Sequence, residues 1–440
     1  MRRRWWIPLA LVLLLAVAIA PGLGRLPSAA AEYPPGIAGK GRALLDCVAI
    51  AYGAYRPRLA RIRLGRDGLA TLVPPVRVDQ RQLAGMGECA SIAVNDAGAV
   101  LVAWMMRDPR DGQSYKVYAR ALNRNGIPRG PDFRVNTGAS ATMLAHHVSA
   151  RVDSGGRFAV LWHATRRPDR LVREGAGVFL RRLDGSGQPA GEELQISPEL
   201  AGEMAEMALG DDDRIAVVWS DAGRLWGRIL RADDTLGEPM RLDDAPAGAL
   251  AEFPAAAFGP RGELLVAWAD TRAGGRDVRA RRFDRELRPL DASIAVGAGP
   301  VPEQFFRLIA VAATDSGWGV VWRRERRAFG RWIGASGRPL GAGEKALLTR
   351  GAEVAAAPLS SSELAVSNGR SLCRWRRGGA DAEILLIRRP ARPQEISLAP
   401  QGDSLWLAWH DAIDARPVPA LGDNFYIMAA RLRLTRDGSP

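Results

Sequence analysis

The chain has 440 residues, 47% of them hydrophobic, which is enough for one large core or for many small packing units. Its formal net charge is +13, carried almost wholly by arginine because the only lysines are Lys40, Lys116 and Lys345. Three cysteines are too few for a disulfide framework. The arginines are spread along the chain instead of forming a basic arm, which argues against specific nucleic-acid recognition.

The first predicted element is a secretory signal over residues 1–31. Three arginines at positions 2–4 precede an apolar run from Trp5 to Ala20, and a small-residue stretch, Ala29-Ala30-Ala31, offers a cleavage site. An uncleaved N-terminal anchor is the alternative, since the apolar run is longer than a minimal signal core. We expect cleavage, a mature chain over 32–440 without a membrane span, and a secreted or periplasmic location.

After the signal, a short apolar strand that ends in an aromatic residue recurs along the chain. The copies end at Tyr52, Trp104, Trp162, Trp219, Trp268, Trp322 and Trp409. Successive gaps run from 49 to 58 residues, except for a last gap of 87 residues that contains a degenerate copy, "SELAVSNG", at Ser362–Gly369. A period near 50 residues is typical of a propeller or a solenoid.

Each repeat has the same internal order. A strand of small residues leads through an Asx/Gly turn into the aromatic strand, and a polar loop, a third strand, a second turn and a fourth strand follow, as in "SIAVNDAGAVLVAW" and "FRVN". This pattern predicts an all-β β-propeller with four-stranded blades. We count eight blades, or seven if the units around Arg42 and Leu364 are miscounted. Both termini are expected to close the ring, with Glu32–Lys40 as the candidate for the missing outer strand.

Two of the repeats match a known pattern. "VAWADTRAGGRDVRARRFD" (Val266–Asp284) and the segment Val102–Asn136 resemble a repeat of many secreted bacterial proteins, V-x-W-x-D-x-R-x-G-x-x-D-I-Y-A-x-R. Such repeats look like sialidase-type propeller blades. The resemblance implies the fold and hardly restricts function.

The polar loops after the aromatic strands should gather on one face, here called the loop face, with the connections between blades. Its candidate ligand-binding residues are Asp108, Asp111, His163, Asp221, Asp270, Arg272, Asp277, Arg323, Arg326, His410, Asp411 and Asp414. An aspartate two residues past the tryptophan recurs in three repeats. It could form a ring of carboxylates for a cation or polar ligand, but its recurrence favours a structural role within each loop. His146-His147 is interpreted as a turn between blades.

The remaining candidates are few. Cys47 and Cys89 fall in neighbouring repeats and are predicted to form a disulfide, which leaves Cys373 as a buried free thiol. The sequence has no metal-binding spacing, phosphate loop or nucleophile elbow, so we expect neither metal nor cofactor and assign no catalytic residue.

These observations favour a monomeric, exported, non-enzymatic propeller that binds a protein or glycan partner through the loop face. One alternative is a polysaccharide-acting glycosidase or lyase of sialidase-like architecture. A second is polyanion binding through the arginine-rich surface. Convergence of Asp270, Asp411, His163 and His410 around one pocket would favour the enzyme.

Overall fold

The computed structural model describes most of the chain beyond residue 68. The described residues are 69–79, 87–108, 114–166, 177–198, 203–272, 274–299, 307–349, 353–369, 371–378, 383–385, 393–412 and 425–434. Every regular element within these ranges is a β-strand, and the 28 strands form seven four-stranded antiparallel sheets. The predicted signal segment and Glu32–Lys40 lie outside them.

The seven sheets are the blades of a β-propeller. Blade 1 contains β2 (Gly87–Val94), β3 (Val100–Arg107), β4 (Tyr115–Leu122) and β5 (Phe133–Arg134). Blade 2 contains β6 (Leu144–Val152), β7 (Phe158–Thr165), β8 (Gly177–Leu183) and β9 (Pro189–Gln195). Blade 3 contains β10 (Glu203–Leu209), β11 (Ile215–Asp221), β12 (Arg224–Leu230) and β13 (Met240–Arg241).

The remaining four sheets follow the same order from the innermost strand outwards. Blade 4 contains β14 (Ala251–Phe258), β15 (Leu264–Asp270), β16 (Asp277–Phe283) and β17 (Ile294–Ala298). Blade 5 contains β18 (Ile309–Thr314), β19 (Gly317–Arg324), β20 (Arg327–Gly334) and β21 (Lys345–Thr349). Blade 6 contains β22 (Ala355–Ser360), β23 (Glu363–Ser367), β24 (Leu372–Arg376) and β25 (Glu383–Leu385). Blade 7 contains β26 (Pro393–Gln401), β27 (Ser404–Ala412), β28 (Phe425–Leu434) and β1 (Leu69–Arg77).

Blade 7 closes the ring with strands from both ends of the propeller. The innermost strands contact one another in succession from β2 through β26 and back to β2. The outer strand of blade 7 is β1, which pairs antiparallel with β28 from Leu69↔Leu434 to Arg77↔Met428. Closure by both termini is thus confirmed, but residues 69–77 supply the strand. The segment "VRVD" (Val76–Asp79) at its end therefore completes the last blade, and the described strands form seven blades, the alternative to the count of eight.

The hydrophobic core lies between blades. Each cluster of buried apolar side chains combines residues from two adjacent blades, for example Trp104 of blade 1 with Ala429 of blade 7 and Trp268 of blade 4 with Val218 of blade 3. The six tryptophans that mark the repeat from Trp104 to Trp409 are almost fully buried. A buried tryptophan removes roughly 200 Å² from water, a gross gain of about 5 kcal/mol, which no blade could achieve alone.

Arginines on the third strands of blades 1 to 5 connect each of these blades to the preceding one. Each donates from Nη1 to a backbone carbonyl at the end of the previous blade's outer strand. The pairs are Arg120–Val78, Arg181–Val135, Arg228–Ile196, Arg281–Leu242 and Arg331–Val296, at 2.8–3.3 Å. These five arginines therefore stabilise the contacts between blades.

A polar residue just past the outer strand completes this repeated network. Asp79, Asn136 and Asp243 accept hydrogen bonds from the backbone N–H groups of Ile427, Val117 and Leu225 on the third strand of their own blades, at 2.8–3.0 Å. This hydrogen bond to the third strand explains why the outer strand is followed by an apolar residue and then by Asp or Asn in these blades.

In the described ranges, no helix has the length and apolar character that a membrane crossing requires.

Candidate functional site

The sequence-predicted loop-face residues whose side chains the structure describes are distributed over blades 1 to 5. Asp108 directly follows β3 of blade 1, and His163 lies in blade 2. Asp221 lies in blade 3 and Arg323 in blade 5. Asp111 and Asp414 lie outside the described residues. For His410 and Asp411 the structure gives the backbone position, in β27 opposite Ile427 and Tyr426 of β28.

Asp270 and Arg272 form a saturated network in blade 4. Asp270 is fully buried and accepts hydrogen bonds from the Trp268 indole (3.0 Å) and from the backbone N–H and Nε of Arg272 (both 2.9 Å). Arg272 also reaches Asp244, at the end of blade 3, at 2.6 Å. Burial by itself raises the pKa of Asp270, but the hydrogen bonds from Arg272 and Trp268 bring it below its ordinary value. Asp270 therefore has the structural role that its recurrence favours.

The other described candidates have ordinary positions in their blades. Asp277 begins β16 directly opposite Asp270, and Asp221 ends β11 opposite Arg224. Arg323 is buried near the end of β19, whereas Arg326 is exposed in the turn to β20. These four residues lie in blades 3, 4 and 5.

The innermost strands contain a more informative pattern. Two positions on each innermost strand carry small residues in nearly every blade. The first position pairs with the residue just before the aromatic position of the second strand. The second position lies two residues further along the innermost strand. The first position is occupied by Ser91, Ser149, Glu206, Ala255, Ala310, Ala356 and Ser397. The second is occupied by Ala93, Arg151, Ala208, Ala257, Ala312, Pro358 and Ala399. Glu206 and Arg151 are the two large, charged exceptions.

The serines of the first position show what the repeat normally does there. Ser91 accepts a hydrogen bond from the backbone N–H of Ala150 in the next blade at 2.9 Å, and Ser397 accepts one from Ile92 at 3.2 Å. These bonds tie neighbouring inner strands together. Glu206 has a longer, charged side chain at the position of these serines. Its role therefore goes beyond a hydrogen bond between neighbouring inner strands.

The two exceptions meet at the centre of a polar group that we call the axial cluster: His147, Ser149, Arg151, Glu206 and Arg307. Glu206 Oε1 accepts from His147 Nε2 and from Arg307 Nε, both at 3.0 Å. Glu206 Oε2 accepts from Ser149 Oγ at 3.1 Å and lies 3.7 Å from Arg151 Nη2.

The position of Arg307 shows where this cluster lies. His147, Ser149 and Arg151 belong to the inner strand of blade 2, and Glu206 belongs to that of blade 3. Arg307 stands just before β18 of blade 5. Blades 3 and 5 are not neighbours, so the contact between Glu206 and Arg307 bypasses blade 4 on the inside of the ring.

The cationic neighbours keep Glu206 ionised. Burial by itself raises the pKa of the Glu206 carboxyl, whereas the Arg307 guanidinium and the His147 hydrogen bond lower it. The pKa lies well below its ordinary value as a result. An ionised carboxylate only accepts hydrogen bonds, so His147 carries its proton on Nε2 and donates it toward Glu206.

His163 lies beside this cluster and has a different character. It is buried, its ring stacks on that of His146 with centroids 5.2 Å apart, and its Nδ1 has no hydrogen-bond partner in the structure. Burial, with repulsion from His146 and His147, puts the pKa of His163 well below 6.5. The imidazole is therefore neutral at pH 7.

The interpretation of His146-His147 as a turn was wrong, since both lie in β6. His147 occupies a bulge with φ of 48°, and Cys89, Met204 and Phe253 repeat this left-handed conformation in their own inner strands at 49–56°. An extra residue in the strand resembles a connection in sequence because it breaks the alternation. Alignment of the inner strands is the signal that could have found His147, Arg151 and Glu206.

The cysteines give a partial result. Cys89 is half-buried in β2, and Cys47 lies outside the described residues, so their disulfide stays a prediction. Cys373 is fully buried in β24, and burial raises the pKa of its thiol to about 12. Within the described ranges, no group of three or more His, Cys, Asp or Glu side chains is arranged to hold a metal ion.

Comparisons with known proteins agree on the fold alone. No protein-family model and no curated protein matches the sequence. A protein of unknown function from Dyadobacter fermentans is similar in structure, with 12% identity, coverage of 83% of this chain and 99% of that one, and a TM-score of 0.50. A GH93 α-L-arabinofuranosidase of Fusarium graminearum, solved with arabinobiose, has 11% identity, coverage of 84% and 99%, and a TM-score of 0.50.

A third similar structure is a Trypanosoma rangeli sialidase in complex with 2,3-difluorosialic acid. It has 10% identity to this chain, coverage of 83% of this chain and 59% of that one, and a TM-score of 0.47. At such identities, shared architecture says nothing about shared chemistry.

Proposed function

We propose that this protein is an exported, non-enzymatic propeller that binds a protein or glycan partner on the loop face, around the axial cluster. The observation that carries the proposal is the set of three hydrogen bonds that Glu206 accepts from His147, Ser149 and Arg307. The Glu206 carboxylate holds His147 and Arg307 in place across the inside of the ring. Such a preorganised charged centre on the inside of the ring is suited to recognising a polar ligand.

The state of the three carboxylates that pair with Arg272 or Arg307 supports binding over glycoside hydrolysis. A glycosidase ordinarily needs two carboxyl groups, one of which keeps its proton through a raised pKa. The carboxyls of Glu206, Asp244 and Asp270 have pKa values below their ordinary range because arginines or other donors surround each of them. They are anions held in place, which is the wrong condition for a general acid.

A lyase or hydrolase acting on a polysaccharide is the second candidate. The observation in its favour is His163, a neutral imidazole with an unpartnered Nδ1 next to the axial cluster. A neutral imidazole could accept a proton from a substrate. Its burial argues against direct access to a polysaccharide, so we rank this function below binding.

General polyanion binding has less support than either. The third-strand arginines donate to carbonyl groups between blades and are thereby removed from the freely exposed positive surface. We expect the protein to bind heparin at low salt and to lose this binding at moderate salt, since exposed charges are screened over about 10 Å at 0.1 M salt. That result would agree with a low rank for polyanion binding.

The experiment is a binding screen of the purified protein on a glycan array and against candidate envelope proteins, with soluble polysaccharides incubated in parallel. We expect a binder whose affinity falls at least tenfold in Glu206→Gln, while the control Glu192→Gln, on the exposed outer strand β9, keeps native affinity. Release of reducing sugars or unsaturated products from any polysaccharide would contradict a non-enzymatic role. A binder that is indifferent to Glu206→Gln would contradict the location of the site.

A further inference from the structure

We infer that the face opposite to the loop face docks on an anionic lipid surface through neighbouring turns of blades 4 and 5. This face, here called the turn face, consists of the turns that join first to second strands and third to fourth strands. The inference goes beyond the proposed function and does not depend on it, because the two faces lie at opposite ends of the strands. It follows from two exposed leucines, from the unpaired arginines beside them and from the shape of the turns.

Exposed aliphatic side chains are concentrated on the turn face. In the described ranges, the exposed large hydrophobic residues are Ile127, Leu250, Leu290 and Leu340. Three of them lie between the third and fourth strands of their blades, whereas Leu250 lies just before β14, on the loop face. Ile127 is in blade 1, across the ring, but Leu290 and Leu340 are in adjacent blades and are 47% and 38% exposed.

Leu290 and Leu340 occupy the same place in the repeat. Each is the last residue of an Arg-Pro-Leu tripeptide in the turn before the outer strand. In blades 1 and 3 the equivalent residues are Arg129 and Gly237, and in all four blades the backbone N–H of this residue donates to the third strand at 2.8–3.0 Å. The fold thus accepts arginine or glycine at this place. An exposed leucine in two adjacent blades is better explained by a contact outside the ring than by the architecture.

The arginines beside the two leucines have no ionic partner. Arg285, Arg288 and Arg338 are exposed. Among the residues that the structure describes, none of these three guanidinium groups forms a hydrogen bond or an ion pair. They differ in this respect from the third-strand arginines, which donate to carbonyl groups between blades. Their positive charge is therefore available to a partner outside the chain.

The carboxylates of the blade 4 turn are already engaged. Glu286 pairs with Arg214 and Asp291 pairs with Arg282, both at 2.7 Å. Asp284 is half-buried and accepts two backbone N–H groups of its own turn at 2.8 and 2.9 Å. The unpaired arginines thus give this part of the turn face its charge, which is complementary to an anionic surface.

The turn face of blade 3 has the opposite charge and limits the contact. Asp211, Asp233 and Asp234 are all exposed there, and Arg182 of blade 2 pairs with Asp234. An anionic surface would be repelled at blade 3 and attracted at blades 4 and 5. The ring should therefore dock by the edge that blades 4 and 5 form, which leaves the loop face accessible.

A leucine and an arginine on one rigid turn fit the boundary of a bilayer. The proline between them restricts the turn, so that the leucine can enter the acyl region while the guanidinium binds lipid phosphates. Both turns are convex, whereas the apolar residues that dominate a protein interface usually lie in closely packed pockets. The two leucines therefore favour a lipid surface over an acidic protein.

The test uses the full-length protein with vesicles of phosphatidylcholine alone, or of phosphatidylcholine and phosphatidylglycerol in about equal amounts, at about 0.1 M salt. Hydrogen exchange followed by peptide mass spectrometry measures each turn separately. The apolar N-terminal segment, which all variants share, therefore does not enter the comparison. All substituted residues are exposed or half-exposed, so the variants should fold, and far-ultraviolet circular dichroism checks this.

We expect the mixed vesicles, but not phosphatidylcholine alone, to slow exchange in residues 284–293 and 334–344. Residues 246–253 on the loop face should exchange at an unchanged rate. The double variant Leu290→Ser/Leu340→Ser should lose the slowing. The control Leu250→Ser removes a leucine that is 41% exposed on the loop face, and it should keep the slowing.

Charge variants test the arginines by lipid titration. Arg288→Ala and Arg338→Ala should each raise the lipid concentration for half-maximal slowing about fivefold, since an arginine near an anionic surface contributes about that factor to binding. The control Arg157→Ala lies in the β6–β7 turn on the same face, where Arg157 pairs with Asp153, and should raise it by about twofold or less.

Three results would overturn the inference: no slowing at either turn, slowing that persists in Leu290→Ser/Leu340→Ser, or equal effects of Arg288→Ala and Arg157→Ala. Slowing by heparin or by an acidic protein, without any slowing by vesicles, would also overturn it and would indicate a different anionic partner. The glycan and protein screen examines the loop face, so its outcome and the outcome of the vesicle experiment are independent.

Discussion

Replacing Glu206 with glutamine tests the axial cluster by its effect on stability. The substitution keeps the size of the side chain and removes its negative charge. Arg307, which donates to Glu206 at 3.0 Å, and Arg151, at 3.7 Å, would then face each other without the anion that separates them. His147 would lose the charge-assisted character of its hydrogen bond.

The expected loss in the free energy of unfolding is about 2 kcal/mol at pH 7. Breaking a fully buried ion pair costs roughly 3–5 kcal/mol. The cost is smaller here because Arg307 is 18% and Arg151 is 38% exposed, so water partly solvates both guanidinium groups. The glutamine amide oxygen also still accepts one of the hydrogen bonds.

Urea unfolding followed by tryptophan fluorescence measures this difference, with Glu192→Gln as the exposed control. The folded-state pKa of Glu206 is depressed, so its contribution is fully present above the unfolded value of about 4.3 and is lost as the pH falls through the folded value. The native protein and Glu206→Gln should therefore differ at pH 7 and converge as the pH falls below about 4. Equal stability at pH 7, or a difference that is undiminished at low pH, would refute the assignment of Glu206 as an ionised anchor.

Three further predictions concern the ring and its thiol. Arg281→Ala removes hydrogen bonds to the carbonyls of Leu242 and Asp291 and should lower the free energy of unfolding by about 1–2 kcal/mol. The control Arg157→Ala should lower it by about 0.5 kcal/mol or less. Equal losses in the two variants would show that the inter-blade hydrogen bond contributes nothing to stability. Asp79→Ala removes the acceptor of the Ile427 N–H in the closing blade and should cost about 2 kcal/mol in urea unfolding, whereas an unchanged midpoint would contradict its role in closure. Iodoacetamide at pH 8 should leave Cys373 unmodified in the folded protein, because burial raises the pKa of this thiol to about 12, and should alkylate it in denaturant. Peptide mass spectrometry measures the alkylation. Rapid alkylation of Cys373 in the folded protein would contradict its burial.

Most of the fold was predictable because every blade has the same local pattern. The aromatic strands that end at Trp104, Trp162, Trp219, Trp268 and Trp322 are second strands in the structure, each followed by a third strand. The blade count depended on a feature that local pattern does not contain. The segment "VRVD" has the composition of any outer strand, and only the partner strand β28, more than 340 residues away, decides that it belongs to blade 7.

Less of the candidate site was predictable, for a related reason. Loop position pointed to Asp270, whose buried hydrogen bonds show it to be structural. Alignment of the inner strands could have revealed Arg151 and Glu206 as large residues in columns of small ones. The contact of Glu206 with Arg307 could not have been found in this way, since it joins blades that are not adjacent in the ring.

The pairing of β1 with β28 has a consequence for assembly. The strand that completes blade 7 comes from the opposite end of the propeller sequence, so the last hydrogen-bonded edge is satisfied only after all seven sheets are in place. Until then β28 offers an open edge that accepts the same strand from any copy of the chain. Crowded refolding should accordingly produce reciprocally exchanged dimers, each ring completed by the other molecule's first strand, and dilution should favour the self-completed monomer.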